Sequence, residues 1–190
     1  MPSTATPYGL KPIGLIGGRP YNGAFRLMPI LSTYNTAIFT GDVVKIGSDG
    51  TIQKDTGTAT ATPVGVFLGC QYTDSDSQLR QRPMWTAGTT ATDAYAFVAD
   101  DPDLVFSVQG TVGSITTLYG NNAALVQGTG NSTTGISGVS IGSFATTGTL
   151  PIRLIDIQRG PDNAIGDTYP FFIVKWNATM HLYNTATGTG

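Results

Sequence analysis

From Phe25 onward the chain is a succession of short runs in which apolar residues alternate with polar or small ones. Each run is cut after roughly ten residues by glycine, proline or aspartate, the spacing of an all-β chain. This rhythm limits the fold more than any other feature, because a period of two buries one face of a strand and no face of a helix. Residues 41–46 and 51–53 flank Gly47-Ser48-Asp49-Gly50 and read as a hairpin. Val64, Val66, Leu68, Cys70 and Tyr72 share one predicted face, opposite Gly65, Phe67, Gly69 and Gln71. Leu104, Phe106 and Val108 alternate, as do Leu150, Ile152 and Leu154. Residues 171–176 are apolar on both faces and read as a central or doubly covered strand. In the strand that begins at Phe25, Phe25, Leu27, Pro29 and Leu31 oppose Arg26, Met28 and Ile30, and Pro29 confines it to an edge. Glycine (25) and threonine (29) make up 54 of the 190 residues, which favours strands and turns over helices. The expected fold is all-β: an antiparallel jelly roll, β-barrel or sandwich. Residues 111–127 are the one stretch read as helical or irregular, with a short helix over 114–119.

Residues 1–24 break the rhythm. Pro2, Pro7, Pro12 and Pro20 recur among Gly9, Gly14, Gly17, Gly18 and Gly23, so a helix is excluded and an extended N-terminal arm is expected. The arm carries Tyr8, Leu10, Ile13 and Tyr21, which need burial, and the cations Lys11, Arg19 and Arg26 lie in it or just after it. The sequence reading places these seven residues against a partner, another protein or a neighbouring subunit, with packing of the arm over its own domain as the alternative. It divides the chain into the arm, a β-rich body over 25–183 and a loosely held polar tail over 184–190.

Chemistry is sparse. Charged residues make up 12% of the chain, about half the usual share, and the net charge is −2, which gives no electrostatic case for binding nucleic acid or an anionic membrane. No run of apolar residues is long enough to span a bilayer, and the first residues lack the pattern of a signal peptide. The single cysteine, Cys70, cannot form an internal disulfide and reads as a small buried hydrophobe. The single histidine, His181, excludes a multi-histidine zinc site and reads as a solvent-facing or interface residue. Gly14-Leu15-Ile16-Gly17-Gly18-Arg19 lacks the lysine and the strand-to-helix setting of a phosphate loop. Every acidic residue is aspartate, and Asp74-Ser75-Asp76 and Asp100-Asp101-Pro102-Asp103 read as turns rather than calcium loops. Gly135-Ile136-Ser137-Gly138 has no neighbouring base and no nucleophile-elbow context. Trp85 and Trp176 read as core. The expectation is a protein that is not an enzyme and needs no cofactor or metal.

Several motifs, in order, resemble one family. Pro7-Tyr8-Gly9-Leu10-Lys11-Pro12 and Gly18-Arg19-Pro20-Tyr21-Asn22-Gly23-Ala24 are followed by Gly41-Asp42-Val43-Val44, Gly50-Thr51-Ile52 and Pro63-Val64-Gly65-Val66-Phe67. Val98-Ala99-Asp100-Asp101-Pro102-Asp103 and Arg159-Gly160-Pro161-Asp162-Asn163 complete the series. Together they are similar to the capsid decoration, or cement, proteins of tailed bacteriophages. The resemblance implies a non-enzymatic structural protein on the outer surface of an icosahedral virion, assembled in the host cytoplasm. It implies the major capsid protein as partner, with the seven residues meeting it or a neighbouring subunit, and a homotrimer that clamps neighbouring capsid subunits. The alternative is a tail-associated, receptor- or glycan-binding β module, which would display exposed aromatic side chains; a carbohydrate-active enzyme domain is a third reading.

Overall fold

The computed structural model describes residues 4–111, 119–185 and 188. In chain order its strands are β1 (Lys11–Leu15), β2 (Arg19–Pro20), β3 (Arg26–Pro29), β4 (Ile38–Phe39), β5 (Val43–Ile46), β6 (Ile52–Lys54), β7 (Gly65–Thr73) and β8 (Leu79–Arg82). There follow β9 (Met84–Trp85), β10 (Thr92–Ala99), β11 (Leu104–Gln109), β12 (Asn122–Val126), β13 (Ser140–Ala145), β14 (Ile152–Ile157) and β15 (Phe171–Trp176), then a 3-10 turn over Leu182–Asn184. The larger sheet has the order β13-β12-β14-β15-β11-β1-β2. The smaller runs β3-β10-β7-β5-β6, with β8 paired to the far half of β7, and β4 and β9 form a two-stranded ribbon. The ladders are antiparallel and the sheets pack as a sandwich, so the all-β expectation holds.

Two hydrophobic cores result. Leu104, Phe106, Ile152, Leu154, Phe172, Val174 and Trp176 of the larger sheet meet Val43, Val66 and Ala99 of the smaller one. Phe106 packs edge-on to Trp176 at 5.1 Å between centroids. On the other side of the smaller sheet, Met28, Val44, Phe67, Cys70, Ala96 and Val98 pack with Ile38 and Trp85 of the ribbon. Adjacent residues Val43 and Val44 thus enter different cores, which explains why both faces of β5 are apolar.

The sequence reading is corrected in β7, β3 and residues 111–127, and refined in β15. In β7, Phe97 of β10 pairs with Gly69 and Val98 with Phe67, so Leu68 is an extra, bulged residue. The bulge carries Cys70 to the face of Phe67 rather than that of Val66. In β3, the expected edge strand, Met28 and Ile30 are the buried residues. Phe25, Leu27 and Leu31 are 52%, 48% and 48% exposed, in and beside the outermost strand of the smaller sheet, whose buried residues instead join the core with the ribbon. In β15, central between β14 and β11, one face is buried but Phe171, Ile173 and Lys175 on the other are only half covered. Within 111–127, residues 122–126 form strand β12 with Leu125 in the core; the expected helix over 114–119 falls largely outside the described residues.

The N-terminal boundary also moves. Residues 11–20 are two strands of the larger sheet, with Lys11 in register with Ser107 and Leu15 with Leu104. Leu10 is fully buried in the first core. Upstream, the side chain of Gln109 accepts the Thr6 amide at 2.8 Å and donates to the Thr4 carbonyl at 2.9 Å. The segment has no apolar period of its own because an existing sheet supplies its core. The arm is therefore part of the body, and no strand-free segment ends at residue 24. At the other end, Asn184 and Thr185 close the 3-10 turn through bonds to His181 and Leu182, so the tail does not begin at 184; residues 186, 187, 189 and 190 lie outside the described residues.

Candidate functional site

The N-terminal segment reaches the sheet edge through a glycine contact. Gly9 and Gly41 both adopt left-handed φ, at 77° and 95°. A Cβ on Gly9 would fall on the Gly41 carbonyl, and one on Gly41 would fall 2.5 Å from the Tyr8 oxygen. Gly9 donates its N–H to the Val139 carbonyl at 3.0 Å and Leu10 to Gly41 at 2.9 Å. Next to Gly41, the fully buried Asp42 is a hub. Its carboxylate accepts the Phe39 N–H at 2.9 Å and the Ser137 hydroxyl at 2.5 Å, and it pairs with the Lys54 ammonium at 3.0 Å. Ser137 in turn accepts the Val139 N–H at 3.0 Å. Pro7-Tyr8-Gly9-Leu10 and Gly41-Asp42-Val43-Val44, two motifs far apart in sequence, thus form one junction.

A groove of about 630 Å³ opens beside this junction, between the two sheets. Lys11, Pro12 and Ile13 form one wall, Thr40, Gly41, Leu68 and Ile136 the other, and Tyr8 and Leu10 lie along it. The Tyr8 ring stacks on Phe171 at 5.7 Å. Its hydroxyl donates to Ser107 Oγ at 2.6 Å, since Ser107 donates onward to Gln158 Oε1 at 3.0 Å. Burial raises the Tyr8 phenol above its ordinary pKa, so it stays neutral and a donor. Lys11 is the one charged residue lining this groove and has no ion pair among the described residues. On this side β2 pairs only with Gly14 and Leu15, which leaves the β1 edge from Lys11 to Ile13 uncovered by β2.

A second groove, of about 530 Å³, lies at the other end of β1. Arg19, Tyr21, Phe25 and Arg26 line it together with Asp100 and Asp101. Arg26 Nε meets Asp100 Oδ2 at 2.7 Å, and the Tyr183 hydroxyl donates to the same oxygen at 2.7 Å. Burial and that bond push the Tyr183 phenol up to about 12. The Tyr21 hydroxyl donates to the Ala24 carbonyl at 2.7 Å, which holds the turn between β2 and β3. Arg19 is exposed and has no ion pair among the described residues.

All seven residues singled out from the sequence therefore line one of two grooves on β1–β3, though the reason given for them needs correction. Leu10 is buried in its own domain, and Arg26 is matched by Asp100 of the same chain, so neither is left waiting for a partner. Lys11, Ile13 and Arg19 remain exposed, while Tyr8 and Tyr21 are half-buried. Sequence reasoning missed the far walls, Leu68, Ile136 and Asp100, because only the folded chain brings them to the N-terminal segment.

Most other polar groups have structural partners, although the buried Asn122 Oδ1, Gln127 Oε1, Trp176 Nε1 and His181 Nε2 accept or donate no hydrogen bond among the described residues. Asp101 accepts the Asp103 N–H at 2.8 Å, and Asp103 lies 3.5 Å from Lys175. Burial pushes the Cys70 thiol up to about 12, and it donates to the Met84 carbonyl at 3.4 Å. Trp85 and Trp176 are core, as expected. His181 is not on the surface: it is fully buried, 5.2 Å from the Tyr183 ring and 6.1 Å from Trp176. Its Nδ1 accepts the Tyr183 N–H at 3.3 Å, so the neutral ring carries its proton on Nε2. Burial holds its pKa below the ordinary 6.5, against an opposing pull from Asp100 and Asp101. Because the unfolded chain takes up this proton more readily, the stability it supports is present above about pH 6.5 and is lost as pH falls through the folded value. Melts at pH 7.5 and 5.5 should show a lower midpoint at the acid pH, and His181→Gln should largely remove the difference. An equal difference in the variant would assign it elsewhere.

No family model, no curated protein and no solved structure matches this chain.

Proposed function

We propose that this protein is a non-enzymatic decoration protein that binds the outside of an icosahedral phage shell, as a homotrimer, and links neighbouring subunits of the major capsid protein. The observation that carries the reading is the pair of open grooves at the β1 edge, which gather all seven residues singled out in and just after the arm, on a body otherwise held by packed cores. The order of the family-like motifs supports it, since two of them build the Gly9–Gly41 junction beside the first groove.

In this reading the second groove and the strip that continues from it through Phe25, Leu27 and Leu31 meet the shell. Aromatic and arginine side chains dominate interface energetics, and here Tyr21, Phe25 and Arg19 supply them. Repetition of one modest contact over many symmetry-related sites gives strong overall attachment through avidity. For the glycan-binding alternative both tryptophans are buried, and the exposed rings among the described residues are those of Phe25, Tyr119 and Tyr183. A map of the intact particle tests the proposal: the chain belongs on the outer face of the shell, and density inside the shell or at the tail contradicts it.

A further inference from the structure

The hairpin made by β7 and β8 ends in an exposed knob. All four residues of β8 are exposed, and Leu79, at 72%, is the most exposed large hydrophobic residue among those described. The knob is rigid. Asp74 Oδ1 accepts the N–H groups of Asp76 and Gln78 at 3.0 and 2.9 Å, and Arg80 Nε bonds Asp74 Oδ2 at 2.6 Å. Ser77 N–H returns to the Asp74 carbonyl at 3.1 Å, with Ser77 in left-handed φ at 58°. Asp74 is therefore occupied by its own turn and by Arg80, while Asp76 is exposed and has no ion pair among the described residues, although its charge is felt by Arg80 of the same hairpin. A turn already ordered in this way loses little entropy on docking.

The first groove has the opposite character. Its walls are mainly apolar, its one charged lining residue is Lys11, which has no ion pair among the described residues, and it is wide enough for the side chains of a turn. We infer that the Leu79–Asp76 knob of one copy seats in the Leu68–Ile13–Ile136 groove of a second copy, with Asp76 meeting Lys11. The two surfaces cannot meet within one molecule. Leu68 lines the groove and Thr73 begins the hairpin turn, five residues further along the extended strand β7, which is about 17 Å at 3.3 Å per residue. A contact between two different patches is heterologous, and it closes into a ring when the rotation allows. That the ring holds three copies rests on the function proposed above; the knob-in-groove contact does not.

Light scattering on the full chain over its soluble concentration range tests the contact. The wild type should show a mass at least twice the 19.8 kDa of one chain. Leu79→Ser, Lys11→Asp and Asp76→Lys should each shift it to a single chain with an unchanged melt, since all three side chains are exposed. Combining Lys11→Asp with Asp76→Lys should restore the oligomer. A wild type that stays at 19.8 kDa, an oligomer that survives Leu79→Ser, or a double variant that stays dissociated overturns the inference. Decoration of shells by the monomeric Leu79→Ser chain would leave the proposed function standing without this contact. An oligomer that never binds shells would leave the contact standing without that function.

Discussion

Deleting residues 2–22 should abolish the cooperative melt and leave little soluble protein. The segment supplies β1, β2 and Leu10, and Leu10 is fully buried in the core between the sheets. Truncating a buried leucine to alanine alone costs about 2–5 kcal/mol, a large part of the roughly 5–15 kcal/mol that holds a domain together. The deletion also strips one neighbour from β11, all six residues of which are buried, and exposes its edge to other chains. Circular dichroism on heating, with soluble yield beside it, measures the effect. A truncated chain that melts cooperatively near the wild-type temperature would show that the N-terminal strands are an ornament on an independent body.

Asp42→Ala should destabilise the protein by about 3–5 kcal/mol, the loss typical of breaking a buried ion pair from one side. The carboxylate is fully buried and holds Lys54, Ser137 and the Phe39 N–H together. Its removal leaves the Lys54 ammonium, on a side chain only 12% exposed, without its counter-ion. Asp42→Asn keeps the acceptor for Phe39 and should cost less. Denaturant titration at neutral pH gives both values, and a loss below about 1 kcal/mol for the alanine variant, the level of a surface ion pair, would show that the hub is dispensable. Thr40 and Gly41, immediately before Asp42, line the first groove, so the same change should also blunt self-association.

The β architecture was legible wherever a strand sends alternate residues into the core and its ladder is regular. Leu104, Phe106 and Val108 alternate as read, the Asp49-Gly50 turn joins β5 to β6, and Pro29 lies in an edge strand. The reading failed where regularity does. The bulge at Leu68 reverses the face of Cys70, and in β1 a register shift between Pro12 and Gly14 erases the period that would have marked a strand. Gly9 belongs to a crossing that makes sense only beside Gly41. His181 was misplaced because a polar neighbourhood in sequence says little about burial, which Trp176 and Tyr183 impose in space. The grooves were half visible: the β1–β3 side stands out as apolar residues and cations among glycines and prolines, but the opposite walls come from Thr40 and Gly41, from β7, and from residues as distant as Asp100 and Ile136.

The central claim is that this chain sits on the outside of a phage shell with its β1–β3 edge toward the partners it joins. A cryo-electron map of the particle that carries it, at a resolution that shows strands, tests this most directly. The account predicts one sandwich per copy on the outer surface, grouped at three-fold positions, with Arg19, Tyr21 and Phe25 against the capsid protein. A sandwich found inside the shell, at the tail, or on the surface with that edge turned to solvent would contradict it.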